Sequence, residues 1–103
     1  MNMLNSLCVE GRAIFTKDLQ DNEGQKRLDF ILASSRFTKD LNGDLVEVIT
    51  EIPCTVFGNL AEITCKKIKK GDWTLRLVGR LSGCKGDLFV TVEHVEYKLY
   101  KLS

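Results

Sequence analysis

The chain has one proline, one histidine and one tryptophan, and no apolar run of bilayer-spanning length. Each scarcity removes a class of explanation. A membrane helix needs about 20 consecutive, mostly apolar residues. The opening MNMLNSLCVEGR lacks the charged head and apolar stretch of a secretory signal. Neither membrane insertion nor secretion is expected, and a cytoplasmic location is. The cysteines Cys8, Cys54, Cys65 and Cys84 form no CxxC pair, and only His94 is present to join them. That spacing argues against a zinc site and for four reduced thiols, with Cys8 and Cys54 acting as small hydrophobes in strand-like surroundings. There is no glycine-rich phosphate loop and no serine or cysteine with a base at a recognisable spacing. No carboxylate pair is singled out either. Catalysis, a cofactor and a metal are therefore not expected, and His94 reads as a structural or surface residue. Fifteen Lys plus Arg against fourteen Asp plus Glu leave a net charge of +1, so net charge alone makes no case for a polyanionic partner.

With 103 residues and 44% hydrophobic content, one modest core and one domain over 1–103 are expected. Charge is unevenly placed along it. Asp40 to Cys65 carries no Lys or Arg, whereas Lys66, Lys67, Lys69, Lys70, Arg76, Arg80 and Lys85 follow with Asp72 as the single acid among them.

Hydrophobic alternation supplies the elements. Leu7 to Phe15 sets Leu7, Val9 and Ala13 against Glu10 and Arg12, a half-buried strand with Gly11 as a bend or bulge. After the turn signal Asn22-Glu23-Gly24, Arg27 to Phe37 sets Leu28, Phe30 and Leu32 against Asp29, Ile31, Ala33, Ser35 and Phe37. This second strand is expected to pair with the first. Asn42-Gly43-Asp44 turns the chain into Leu45 to Phe57, a β-branched strand whose Pro53 cannot donate to a ladder and so belongs at an edge or a bulge. Asn59 is placed to cap a helix with Glu62 completing a capping-box-like pair; Leu60, Ile63 and Cys65 or Lys67, then Ile68, form its apolar stripe, and Gly71 ends it. Trp73 to Leu81, with Trp73, Leu75, Leu77 and Leu81 on one face, and Leu88 to Tyr97, with Leu88, Val90 and Val92 together, are joined by the hairpin Ser82 to Asp87. Three strands, a short helix and two strands are the element order of the OB fold, an all-β, five-stranded Greek-key barrel that binds oligonucleotides or oligosaccharides.

Four pieces in this order resemble the bacterial single-stranded DNA-binding protein (SSB) family. They are N-x-x-x-V-x-G-R (Asn5, Val9, Gly11, Arg12), F-x-L-A-S (Phe30 to Ser34), V-F-G-x-L-A-E (Val56 to Glu62), and K-K-G-D followed by V-G-R-L (Lys69 to Asp72, Val78 to Leu81). The likeness spans about Asn5 to Val95 and implies an OB domain that coats single-stranded DNA, largely independent of sequence, in replication, recombination or repair. A homotetramer, or alternatively a dimer, and a bacterial, nucleoid-associated cytoplasmic setting are also implied. Two departures stand out. The family's aromatic before V-F-G is replaced by Glu51 or Ile52, and the last hairpin, SGCKGD, holds no aromatic. Family members also end in an acidic tip that recruits replication and repair proteins, whereas this chain stops at KLYKLS. The short form also resembles primosomal PriB proteins, which implies an alternative: an OB-fold adaptor in a primosome-type assembly, with protein contacts dominant and DNA binding weak.

Single strands are gripped by aromatic faces that stack on bases and by a basic groove that follows the phosphates. The expected DNA-binding residues follow from this logic and from the likeness. Phe57 falls in the V-F-G motif, out of phase with Val56. Phe37 lies opposite the Leu28, Phe30 and Leu32 face, as stacking surface or subunit interface, with Arg36 and Lys39 flanking it. Phe89 lies opposite Leu88, Val90 and Val92, while Arg76 and Arg80 point away from the Leu75 and Leu77 face. Lys85 sits at the hairpin tip. Trp73 shares the phase of Leu75 and Leu77, so core or barrel rim is expected of it. The lysines before Gly71 are explained by the helix dipole, which favours cations in a last turn, and only Lys70 is retained as a DNA contact.

Overall fold

In the computed structural model, residues 4–71 and 73–99 are described. Residues 1–3, Asp72 of the K-K-G-D motif and residues 100–103 of the closing KLYKLS lie outside the described residues. The elements are β1 (Leu7–Ile14), β2 (Gln20–Asn22), β3 (Gln25–Lys39), β4 (Leu45–Phe57), α1 (Asn59–Lys70), β5 (Trp73–Cys84) and β6 (Asp87–Leu99). The expected strands and helix are present, and β2 is an addition. It is an exposed three-residue strand folded back on the start of β3 through Glu23 and Gly24, both at positive φ. That geometry is the type I′ hairpin turn that follows the right-handed twist of strands.

The five long strands close into a ring. β1 pairs with β5 from Leu7 to Gly11 and then with β3 from Arg12 to Ile14. β3 and β4 run antiparallel in one unbroken register, from Arg27 opposite Phe57 to Lys39 opposite Leu45. β5 and β6 are antiparallel, and β6 meets β4 in a two-residue parallel junction, Cys54 beside Val90 and Thr55 beside Thr91. Pro53 immediately precedes this junction, so the missing N–H falls where β4 is still an edge strand towards β6. Gly11 marks the exchange of partners by β1. A Cβ there would lie 2.4 Å from the Ala33 carbonyl oxygen, so only glycine lets the two backbones approach.

The barrel interior is filled by Leu28, Phe30 and Leu32 of β3, Cys54 and Val56 of β4, Leu75 and Leu77 of β5, and Val90, Val92 and Val95 of β6. Fully burying one such side chain is worth about 1.5–3 kcal/mol. Val92 and Val95 both face inward although three residues apart, because the β5–β6 register shifts between Val78 and Gly79: Val78 opposes His94 and Gly79 opposes Val92. Glu93 is the extra residue of this bulge. Burial raises the Cys54 thiol to about 12, so it is an inert core group. Cys8, by contrast, is exposed, because it alternates with the inward-facing Leu7 and Val9.

The helix corrects two expectations. Its N-cap is Gly58 (φ 73°), Asn59 is already helical, and no side chain caps the start. Glu62 closes no capping box; it accepts a hydrogen bond from Lys26 Nζ at 2.8 Å and faces Lys66 at 3.6 Å, tying the helix to β3. The buried stripe is Ala61, Thr64 and Cys65, with Leu60 and Ile68 half-buried at its margins, while Ile63 is exposed. Thr64 is tolerated inside because Tyr97 donates to its hydroxyl at 3.1 Å. Gly71 follows the last helical residue in an extended conformation. Leu81 is also more exposed than its phase suggests, since it lies two residues beyond Gly79, the last β5 residue paired with β1.

Gly11→Ala is expected to cost at least about 2 kcal/mol in urea unfolding, because the new methyl meets backbone that cannot give. Gly71→Ala, where the nearest atom is 3.9 Å away, serves as the near-neutral control. A second expectation concerns pH. The hydrogen bond from Lys26, and then the charges of Lys26 and Lys66, hold the Glu62 carboxyl below its ordinary value of 4.5. A carboxylate lowered in the folded state stabilises above its unfolded pKa and loses that contribution as pH falls through the folded value. The difference in thermal midpoint between wild type and Glu62→Gln should therefore be full at neutral pH and shrink below about pH 4.5. A difference that is constant across the acid range would count against this tie.

Candidate nucleic-acid interface

The pairing registers decide which side chains share the outer face. Opposite residues in a ladder point to the same side, so Asp29 of β3, Thr55 of β4, Thr91 of β6 and Arg80 of β5 form one row across four strands. Arg27 and Phe57 lie together on the neighbouring row, and on the other side Ile31 joins Pro53 while Phe89 joins Ser82. These rows enclose a groove. A cavity of about 320 Å³ is lined by Phe15, Lys17, Arg27, Asp29, Phe30, Ile31, Pro53, Cys54, Thr55 and Phe89.

Three phenylalanines therefore line one cavity, Phe15 and Phe89 from the surface and Phe30 from the core, and Phe57 stands beside it. Phe57 is 36% exposed, and the Arg27 guanidinium lies 5.7 Å from its ring centroid. The same Arg27 donates Nε to both carboxylate oxygens of Asp29, at 3.2 and 3.0 Å. Thr55 donates its hydroxyl to Asp29 Oδ1 at 2.7 Å. Phe15 is 76% exposed, at the end of β1, with left-handed backbone (φ 49°). The loop after it is pinned by the Lys17 N–H, which donates to the Asp29 carbonyl at 2.9 Å. An exposed aromatic beside a guanidinium on an open groove offers faces on which a base can stack.

Other sequence-derived candidates fall in four places. Arg80 shares the outer face with Phe89; its Nε stands 3.8 Å from Glu93, a loose and exposed pair. Lys85 is at the tip of the β5–β6 hairpin, but the turn is tighter than SGCKGD, with only Lys85 and Gly86, both at positive φ, between the strands. Phe37, 68% exposed, lies on the outer face of the long β3–β4 arm, six residues beyond Ile31, which is about 20 Å of strand. Lys39 shares its side, whereas Arg36 alternates to the other, so the two cations do not flank the ring together. Lys70, at the end of α1, borders a separate cavity with Ile63, Lys66, Lys67 and Trp73 that shares no lining residue with the groove. Trp73 packs at the barrel rim, edge-on to Tyr97 with ring centroids 5.9 Å apart and Lys67 over its ring.

Arg76 is placed elsewhere. Its Nε donates to Glu10 at 2.6 Å and its Nη1 stands 3.5 Å from Glu96, with Lys98 3.4 Å from the same Glu10. The Arg76 hydrogen bond and charge hold Glu10 below the usual carboxylate range, and Arg76 is raised in return. This guanidinium belongs to a charge network across β1, β5 and β6 and is not brought to the groove. Phe15 and Asp29 were not singled out from sequence. Phe15 sits one residue past a regular alternation, and the place of Asp29 depends on β6 lying beside β4, which no local pattern reports. Among the described residues no three His, Cys, Asp or Glu side chains gather as a metal site, and no helix is long and apolar enough to cross a membrane.

Comparison with known structures agrees with this architecture. PriB of Ralstonia solanacearum superposes with a TM-score of 0.73 at 16% identity, covering 92% of this chain and 98% of that one. The single-stranded DNA binding protein of Thermus aquaticus, as a deletion mutant, gives 0.75 at 21% identity, and this chain, 93% covered, spans about half of it (51%). The SSB of Plasmodium falciparum, solved in complex with ssDNA, gives 0.75 at 16% identity, covering 95% and 97% of the two chains. No curated protein matches by sequence. At such identities the likeness establishes the fold, and the family comes from a separate match to the sequence pattern of the Single-strand binding protein family over residues 4–86. The chain, an OB barrel with an aromatic groove on its outer face, belongs to the single-strand binding protein family.

Proposed function

We propose that this protein binds single-stranded DNA, largely independent of sequence, and shields it in replication, recombination or repair. The observation that carries the reading is the convergence of Phe15, Phe89, Arg27 and the neighbouring Phe57 on one outer groove. Stacking contributes about 1–3 kcal/mol per base, and it is tolerant of sequence because every base has a π-face. Lys17 in the groove, Arg80 on its flank and Lys85 at the hairpin tip supply cations along a strand lying over these rings. Phe37 and Lys39 extend the track along the β3–β4 arm, with Arg36 on its reverse side and Lys70 as an outlying contact for a longer, wrapped strand. The role is binding and not catalysis, in the cytoplasm, by a homotetramer or a dimer.

A second reading has its own observation. The β3–β4 arm exposes Phe37, Leu45 and Ile49 on one face, with Val46 on its reverse, an apolar surface suited to protein contacts. An adaptor of the PriB kind, with protein contacts dominant and DNA binding weak, would use that arm.

Fluorescence anisotropy with labelled oligo-dT and a matching duplex across a salt series separates the two. Micromolar or tighter binding of dT is expected, with discrimination against duplex and a salt slope of about 0.7 per phosphate contact. No binding of dT at low salt would overturn the first reading in favour of the adaptor. Phe57→Ala and Phe89→Ala should each weaken dT binding by about 1–3 kcal/mol, whereas Arg76→Gln should leave it unchanged.

A further inference from the structure

We propose that the groove reads the Watson–Crick edge of one base through the Asp29 carboxylate, and so favours bases that present an amino group over thymine. The inference rests on the groove being the single-strand site and adds a base preference to it. A carboxylate is an unexpected lining for a site that accepts a polyanion, since its charge opposes that of the phosphates. Here the charge is locally answered by Arg27, at 3.0 Å from Oδ2, and by Thr55, whose hydroxyl donates to Oδ1 at 2.7 Å.

Those partners also fix what the carboxylate can still accept. An ionised carboxylate has about four lone-pair positions. Thr55 and Arg27 occupy Oδ1, and Arg27 alone approaches Oδ2. One acceptor position on Oδ2 is left, on a side chain that lines the cavity. Because the carboxylate is held from two sides, its direction is set before a ligand arrives, which is what selective hydrogen bonding needs. The cavity, about 320 Å³, is at the small end of ligand sites, which run from ~300 to 1,000 Å³, and so suits one base rather than several. Phe15 and Phe89 on its wall leave stacking as the source of affinity and Asp29 as the source of choice.

The bases differ at this acceptor. Cytosine offers its N4 amino group, adenine its N6 amino group, and guanine its N1–H and N2 amino group side by side. Thymine offers only N3–H, set between two carbonyl oxygens that repel a carboxylate. A single strand leaves all these edges unpaired, so the discrimination is available without opening a duplex.

The test measures anisotropy of oligo-dC and oligo-dT of equal length at slightly alkaline pH, for wild type and Asp29→Asn. Wild type should bind dC about fivefold more tightly than dT, as one charge-assisted hydrogen bond at a partly open site allows. Asp29→Asn keeps an oxygen for Thr55 and adds an N–H that suits thymine O4, so the dC to dT ratio should fall to about one. Oligo-dC methylated twice at N4, which has no donor, should lose the advantage on wild-type protein; this arm needs no variant to fold. Equal loss for dC and dT in Asp29→Asn would show that Asp29 only positions Arg27, and would overturn the proposal. So would a wild-type preference that survives N4 methylation. Failure of every oligonucleotide to bind would remove the single-strand reading itself, a result distinct from binding without preference.

Discussion

Among the described residues the ladder between β4 and β6 is two pairs long, Cys54 with Val90 and Thr55 with Thr91, and the outer groove depends on it. The β3–β4 and β5–β6 hairpins are each long antiparallel ladders, the first in one unbroken register and the second interrupted by the bulge at Glu93. What neither can do alone is bring Phe89 and Asp29 to one cavity, because these residues lie on different hairpins. The parallel junction does so, and its brevity has a visible cause. Pro53 stops it on one side, and on β6 the register shift at Glu93 follows Thr91 closely on the other. The cost of joining chain segments so distant in sequence is a loop-closure entropy. It is offset by the core beneath, where Cys54, Val56, Val90 and Val92 are buried together. Burial of one face of the junction therefore positions the other face for a ligand.

Charge placement follows the same division between faces. Most cations near the barrel wall already have partners: Arg76 with Glu10 and Glu96, Lys26 with Glu62, Arg27 with Asp29. The net charge stays at +1 because acids elsewhere in the chain balance the seven cations between Lys66 and Lys85. A basic run in sequence is thus a poor guide to a polyanion site, and the lysines at the end of α1 show it. They fan around the helix axis, and Lys67 is turned onto the rings of Trp73 and Tyr97, 5.5 and 5.7 Å from their centroids. On the proposed reading the groove relies on rings more than on charge, so stacking supplies most of its affinity.

Legibility from sequence tracked the locality of each cause. The alternation Leu28, Phe30, Leu32 settled β3 because one inner and one outer face are fixed by a period of two. The turns at Asn22-Glu23-Gly24 and Asn42-Gly43-Asp44 were legible because glycine supplies the positive φ they need. The helix was found, but its stripe was misphased. Ile63 is the more apolar residue, yet Thr64 faces inward because Tyr97 satisfies its hydroxyl from another strand. Glu62 was read as a capping partner because Asn59 precedes it by three, while Lys26, thirty-six residues earlier, competes for it and wins. The outward phase of Phe57 and Phe89 was legible. That Phe89 shares a cavity with Phe15 and Asp29 was not, since it follows from strand neighbours and not from spacing along the chain.

Asp29 concentrates these long-range dependences in one residue. Its carbonyl holds the loop after Phe15, and its carboxylate holds Arg27 over Phe57 and accepts from Thr55 at the junction with β6. Left-handed backbone at a bulky residue such as Phe15 costs about 1–2 kcal/mol, and it persists only where its surroundings over-determine it. The pinning of Lys17 N–H to Asp29 is such a surrounding, and its effect is to turn a large apolar ring out to solvent, a placement no core requires. On the single-strand reading proposed above, the ring held out beside the open groove is a stacking face. The same backbone that holds the ring out also fixes the carboxylate against which a base would be read, so the stacking surface and the hydrogen-bonding edge are set by one strand and move as one.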